Sequence, residues 1–314
     1  MKKSQIHLYT DISGNKINTT LYKFGSTNKK GIYIQGGIHG GEVTYFIFAK
    51  LYQWLTKNEA NLKQNITLAP IINPVAWNQR IYYYTAGKFD LYKGKDWNRS
   101  YGSEKQNTLS ERMSKTILDM AMAHDFVIDL HTARTSAPYL IYTDNSLQTY
   151  IQKYGLAYNF FIDLNKESNK KFEGTLNHAL KELGIQCVTY ECGSHDSHNE
   201  EDISEVSRSI LSYLQDSSTA ASTSKPDQKR SIFTQVNTIF AEISGFINYL
   251  VSPRMHVKKG APLMEIYSSS DLKTTYVVKS PIDGIILELS KTHICWEGDE
   301  LIRIVPTEAI QNYD

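Results

Sequence analysis

Short apolar runs alternate with segments of helical period through the first two-thirds of this chain, and that alternation constrains the fold more than any other feature. Strand-like runs cover residues 31–35, 66–72, 126–130, 139–142 and 185–190, each brief, apolar and bounded by turn residues. Between them, residues 42–55 are apolar almost all round, as suits a helix packed on a sheet. Thr108 and Glu111 have the spacing of a capping box, opening a helix that runs to about His124. Residues 174–183 end at Gly184, a C-terminal stop signal. Residues 199–215 place Ile203, Val206, Ile210 and Leu214 on one face. Such alternation predicts α/β layers built on a mixed sheet flanked by helices.

The pattern breaks at residues 216–231, DSSTAASTSKPDQKRS, a small, polar stretch with a proline that reads as linker or surface loop. Beyond it come short β runs punctuated by glycine and proline. VKKGAPLMEI and CWEGDELIRI share a Gly-x-x-Leu-x-x-Ile core, which predicts a small all-β sandwich or barrel of two similar halves. The expected division is therefore a catalytic domain over 1–215, a linker over 216–232 and a C-terminal β domain over 233–314; 314 residues is long for a single domain. In that β domain Lys273 lies eight residues before Pro281, the spacing of biotinyl and lipoyl domains. Its neighbours are Leu272 and Thr274, without flanking methionines or an Asp-Lys pair, so an unmodified structural relative is expected.

Charge removes several function classes. A net charge of +1 gives no electrostatic reason to expect nucleic acid or an acidic membrane as partner. The N-terminal lysines have no apolar core behind them, and no apolar stretch is long enough to span a bilayer. Three scattered cysteines, Cys187, Cys192 and Cys295, are an odd number and argue against a disulfide framework. A reducing cytoplasm is the expected location.

Chemistry concentrates at strand ends. In GIYIQGGIHGGEVTYF, His39 and Glu42 stand three apart among glycines at the mouth of a strand, a spacing that lets both side chains share one cation. His131 follows a buried strand in FVIDLHTARTSAPY, where an open α/β sheet presents its ligand-binding edge. Two histidines and a carboxylate, with one position left to water, form a catalytic zinc set, one ion per chain. Glu191 ends another apolar strand in CVTYECGSH; a general base is a reason to bury a carboxylate there. Between these lie Arg80 and Arg99, cations suited to a developing oxyanion and to a substrate carboxylate. Asp96 is a candidate partner for the far nitrogen of a zinc histidine.

Taken in order, Gly-Gly-x-His-Gly-x-Glu, Asn-Pro-x-Ala with a later arginine, Asp-x-Asn-Arg, Asp-Leu-His-Thr and Thr-x-Glu-x-Gly resemble the succinylglutamate desuccinylase/aspartoacylase family, zinc hydrolases of carboxypeptidase-like fold. The resemblance spans nearly the whole chain, since many members also end in a small β domain. It implies that His39, Glu42 and His131 ligate zinc, and that Glu191 takes a proton from the attacking water and returns it to the leaving amine. It also implies that Arg80 stabilises the oxyanion, that Asn98 and Arg99 grip a substrate carboxylate, and that Asp96 backs the first zinc histidine. One departure is the long aromatic segment RIYYYTAGKFDLYKGKDWNR, where aspartoacylases have only a few residues.

The expected activity is a zinc-dependent deacylase acting on an N-acylated amino acid or similar small amide. Self-association into a homo-oligomer stays open. The alternatives are a metallocarboxypeptidase acting on a peptide or cell-wall peptide, and a non-catalytic binding pseudoenzyme. A groove would favour the peptide, whereas a mouth narrowed by the β domain and the loop at Tyr82 to Tyr84 would favour small molecules. Arg134 suits either a second carboxylate contact or an ion pair. His195 and His198 read as a solvated loop before a helix, and Cys192 as packing.

Overall fold

The computed structural model describes all residues except 26–29, 82–83, 103–105, 196, 219–229, 269–274, 291 and 314. Among the described residues, ten strands form one mixed sheet. Its spatial order is Lys2–Thr10, Lys16–Phe24, Asn65–Ala69, Gly31–Gly36, Phe126–Ala133, Gln186–Ser194, Tyr139–Tyr142, Tyr158–Phe161, Arg230–Phe233 and Ile310–Tyr313. The four central strands, Asn65–Ala69 through Gln186–Ser194, run parallel. The first two strands form an antiparallel hairpin on one edge. Their sequences, KKSQIHLYT and KINTTLYKF, are polar and only partly buried, which is why no apolar run announces them.

Each central strand is apolar on both faces, as a parallel sheet covered by helices requires. Ile32, Ile34, Ile128, Leu130, Val188 and Tyr190 pack against helices Tyr45–Asn58 and Glu200–Ser218. On the other face, Tyr33, Val127 and Cys187 meet Met113 and Ile117 of helix Leu109–Met122 and Leu180 of helix Leu176–Glu182. Each fully buried Leu, Ile or Val side chain contributes about 1.5–3 kcal/mol relative to exposure. Ile203, Val206, Ile210 and Leu214 are all buried, so the helical stripe read from 199–215 is the packed face of Glu200–Ser218.

Helix ends follow local chemistry. Thr108 and Glu111 form the reciprocal capping box, with Glu111 N–H donating to Thr108 Oγ1 at 3.2 Å and Thr108 N–H to Glu111 Oε2 at 2.9 Å. The first helix begins at Tyr45 rather than at residue 42. Gly41 has φ +89°, a left-handed conformation that breaks helical geometry and leaves Glu42 outside the helix.

The expected linker over 216–232 overlaps regular structure at both ends, because one helix extends to Ser218 and a strand begins at Arg230; residues 219–229 lie outside the described residues. Two strands beyond that point, Arg230–Phe233 and Ile310–Tyr313, extend the large sheet. The remaining C-terminal strands form two further sheets around their own core, with Leu263, Ile266, Leu301 and Ile304 inside. The repeated Gly-x-x-Leu-x-x-Ile sequences thus bury equivalent residues. They also exchange partners: His256–Val257 pairs with Gly284–Leu289 while Pro262–Tyr267 joins the other sheet, and Ile294–Cys295 and Glu300–Pro306 do the converse. Lys273 lies outside the described residues.

A short strand just after His131 ties the two units together. Thr135 and Ser136 pair with Leu289 and Glu288, so the β unit's sheet is continued by residues of the N-terminal unit. Among the described residues no helix is long and apolar enough to cross a membrane. All three cysteines are buried and unpaired.

Candidate metal centre

Three parallel strands deliver the site. His39 and Glu42 sit in the loop after Gly31–Gly36, while His131 and Glu191 lie in the carboxyl-terminal halves of Phe126–Ala133 and Gln186–Ser194. The glycines around His39 allow the loop to fold tightly onto the segment that follows Pro74. A Cβ on Gly40 would lie 2.2 Å from the Ala76 carbonyl oxygen, a distance no side chain tolerates. Asn73 of the Asn-Pro-Val-Ala motif secures the same loop, donating from Nδ2 to Ile38 O at 2.9 Å and from its backbone N–H to Gly37 O at 3.2 Å. That motif's first role here is structural: it holds the loop bearing His39.

His39, Glu42 and His131 are buried, and one donor atom from each lies within 4.8 Å of the others. Among the described residues this is the one cluster of that kind. Both histidines turn Nδ1 toward Glu42 Oε1, at 2.9 Å for His39 and 3.3 Å for His131. Their far nitrogens meet carboxylates: His39 Nε2 lies 2.8 Å from Asp96 Oδ1, and His131 Nε2 lies 2.9 Å from Asp129 Oδ2. Such contacts fix the tautomer that leaves Nδ1 as a donor to a metal. Glu42 Oε2 is buried without a hydrogen-bond partner. A buried carboxylate oxygen left so is costly, and a cation beside it satisfies it. Two imidazoles and a carboxylate are the donor set of catalytic zinc sites, so these residues fit the ion the sequence implied.

Charges couple strongly here. Burial opposes the protonated form of His39, but Glu42 and Asp96 outweigh it and the imidazole pKa moves up. His131 behaves likewise, raised well above its ordinary value by Asp129 and Glu42 against the burial effect. Burial alone would raise Glu42, yet the two histidines hold it far below the usual carboxylate range. Asp96 is opposed by burial and drawn down to about 2 by His39, Lys88 and Arg99. Glu191 moves the other way. Burial pushes it up to about 7, only partly offset by His131, while Glu42 and Glu288 add to the rise.

The structure places the sequence-derived site residues unequally. His39, Glu42, Asp96, Asn98, Arg99, His131 and Glu191 all line one cavity of about 130 Å³. Asn98 Nδ2 lies 3.3 Å from His131 Nε2, and its Oδ1 accepts from Leu176 N–H at 3.1 Å. Arg99 donates to the carbonyls of Lys171 and Asn98 at 2.9 and 2.7 Å. Arg80 is not brought in. It opens the short hairpin Arg80–Ile81 with Tyr84–Thr85, is exposed, and lines none of the cavities around the triad.

Two residues went unassigned in the sequence. Asp129 was visible two positions before His131, on the same face of a strand, and that spacing was the available signal. Lys88 lies in the long aromatic segment and carried no signal; its backbone is brought to the site by folding. From the β unit come Glu288 and Arg303, which with Arg134, Tyr139 and His195 wall a second cavity of about 240 Å³ that also contains His39, Glu42 and Glu191. Arg134 is in an ion pair, with Nε 2.9 Å from Glu288 Oε1 and Nη2 on Glu300. Arg303 bridges the same two carboxylates at 3.2 and 2.7 Å. His198 packs edge-on against Phe46 and lies 3.7 Å from Glu200 Oε2. Cys192 is buried, and burial pushes its thiol up. Tyr82 and Tyr83 lie outside the described residues.

Comparisons with known proteins bear on this geometry. Residues 28–216 match the model of the succinylglutamate desuccinylase/aspartoacylase catalytic domain. No curated protein matches the sequence. Among solved structures, a succinylglutamate desuccinylase/aspartoacylase family protein from Shewanella amazonensis is 22% identical, aligned over 100% of both chains with a TM-score of 0.87. One from Shewanella frigidimarina is 21% identical, covering 99% of this chain and 98% of that one, with a TM-score of 0.85. The product-bound ectoine utilisation protein EutE (DoeB) of Ruegeria pomeroyi is 14% identical over 98% and 95% of the chains, with a TM-score of 0.82. At such identities these structures share the fold.

Proposed function

The chain belongs to the succinylglutamate desuccinylase/aspartoacylase family, a family of deacylases, and from that premise we propose that it hydrolyses the amide bond of an N-acylated amino acid or similar small amide with the help of zinc. The observation that carries the reading is the meeting of His39, Glu42 and His131 with Glu191 in one cavity. His39 Nδ1, Glu42 and His131 Nδ1 would hold the ion, with Asp96 and Asp129 orienting the imidazoles from behind. Zinc in such a site makes water more acidic and polarises a carbonyl oxygen.

Every other step falls to the chain's own groups. A carboxylate whose proton affinity is raised toward neutrality suits both halves of the proton cycle, so Glu191 accepts a proton from the attacking water and returns it to the departing amine. Its Oε2 is buried and without a hydrogen-bond partner, which leaves it available for that transfer. Arg99, with Asn98 beside it, offers the cavity a cation for the substrate carboxylate. Walls contributed by Glu288 and Arg303 of the β unit suit a small molecule better than a long peptide.

The experiment is a hydrolysis screen of the zinc-loaded protein across N-acetyl, N-succinyl and longer-chain N-acyl amino acids, with peptides in parallel. Turnover of the small amides is expected. Cleavage confined to peptides would turn the reading to a carboxypeptidase, and zinc binding without any turnover to a binding module.

A further inference from the structure

Lys88 lines the cavity that holds the triad and Glu191, whereas Arg80, earlier in the same segment, lines none of the three cavities described. We propose that Lys88 is a catalytic residue whose ammonium meets the developing oxyanion; the inference rests on the deacylase reading above.

Position carries the case. Lys88 lines the two described cavities that contain triad residues, of about 130 and 240 Å³, and a neighbouring one of about 430 Å³; Glu191 is the other residue common to these three. Its backbone is held on both sides. Gly87 O accepts from Gly40 N–H at 3.0 Å, one residue from His39, and Lys88 O accepts from the N–H of buried Trp97 at 3.3 Å. A Cβ on Gly87 would lie 2.5 Å from Gly40 Cα, so the two glycines allow the aromatic segment to lie directly on the loop bearing His39.

Elimination supports it. Arg134 and Arg303 are each engaged by Glu288 and Glu300. Arg99 is bound to two carbonyls and assigned to the substrate carboxylate. The ion pair of Lys88 is long, Nζ standing 3.9 Å from Asp96 Oδ2, and its side chain remains 61% exposed, so the ammonium can swing toward a new anion. As the water oxygen bonds to the amide carbon, the carbonyl π pair moves onto oxygen, and the Lys88 ammonium donates to that oxygen. When the pair returns and the C–N bond breaks, the nitrogen leaves with the proton from Glu191.

The test uses zinc-loaded parent, Lys88→Met, Lys88→Arg and, as a control from the same segment, Lys93→Met, whose lysine is exposed and lines none of the three cavities, with zinc content measured for each. On the best amide of the screen, Lys88→Met should lower kcat roughly 100-fold or more, as loss of one oxyanion donor does, with KM changed less than about 3-fold. Lys88→Arg should recover part of the rate, and Lys93→Met should stay within about 3-fold of the parent. Methylphosphonate, a tetrahedral anion, serves as a readout independent of turnover. Lys88→Met should weaken its binding by about 10-fold or more at unchanged zinc content, and Lys93→Met should not. A parent that hydrolyses nothing in the screen defeats the deacylase reading, and Lys88 is then judged on anion affinity alone. Parent-like kcat and anion affinity in Lys88→Met, a parent that binds no methylphosphonate, or equal losses in Lys93→Met would each overturn the assignment.

Discussion

Glu191 stands directly beside His131 in the large sheet, the two residues being register partners on adjacent parallel strands. Partners across a ladder present their side chains to the same face. The candidate base is therefore held next to the candidate metal ligand by backbone pairing, and Tyr139 flanks Glu191 from the antiparallel strand on its other side. Four consequences can be measured.

The purified protein should hold about one zinc per chain, since one site offers three ligands. His39→Ala and His131→Ala should each lose most of it when metal content is read by elemental analysis. Full retention in both variants would show that the ion binds elsewhere.

Asp129 fixes the His131 ring through Nε2 and accepts from Gln35 Nε2 at 2.9 Å. Asp129→Ala should therefore weaken zinc binding about 10- to 100-fold without removing any ligand. Competition with a chelator of known affinity measures the change. An unaltered affinity would make Asp129 a core hydrogen-bonding residue only.

Glu191→Gln keeps the shape but cannot accept a proton. Turnover should fall by roughly two to four orders of magnitude while zinc stays bound. The metal-free proteins add a stability signature. The folded pKa of Glu191 is raised from 4.5 to about 7, so its contribution is fully present below about pH 4.5 and is lost as pH rises through 7. Between pH 4.5 and 8 the parent should lose roughly 3 kcal/mol relative to Glu191→Gln, which has no such carboxylate to ionise. Parallel denaturation curves across that range would refute the raised pKa.

Arg99 offers charge-assisted donors to a carboxylate. Capping the substrate carboxylate as a neutral amide should sharply weaken turnover by the parent. Arg99→Leu should be impaired on the free acid but discriminate far less between acid and amide, with the loss mainly in KM if the contact is equal in ground and transition states. Measuring both substrates on both proteins completes a double cycle. A parent indifferent to the cap would remove Arg99 from substrate recognition.

Much of this site was legible because its residues lie at the ends of apolar strands. Apolar periodicity with cap and stop signals located the central strands and the helices over them, and His39, Glu42, His131 and Glu191 stood out as polar groups where burial would otherwise be costly. The repeated Gly-x-x-Leu-x-x-Ile core likewise foretold two equivalent buried halves. The N-terminal hairpin was not legible, because edge strands half open to solvent carry no apolar run.

Roles set by long-range contact belonged to the tertiary structure. Sequence determined which residues could bind a cation, since ligand chemistry and strand periodicity are local properties. Folding decided which cations reach the cavity. Arg80 and Lys88 lie eight positions apart in one segment, yet the first, in a short hairpin, lines none of the three cavities described, while a glycine-to-glycine contact brings the second to the cavity that holds the triad. Folding also brought Glu288 and Arg303 to the wall, through strand pairing that joins Ser136 to Glu288 across about half the chain. Backbone pairing and close packing between distant segments determine such placements, and neither leaves a period or a spacing in the sequence.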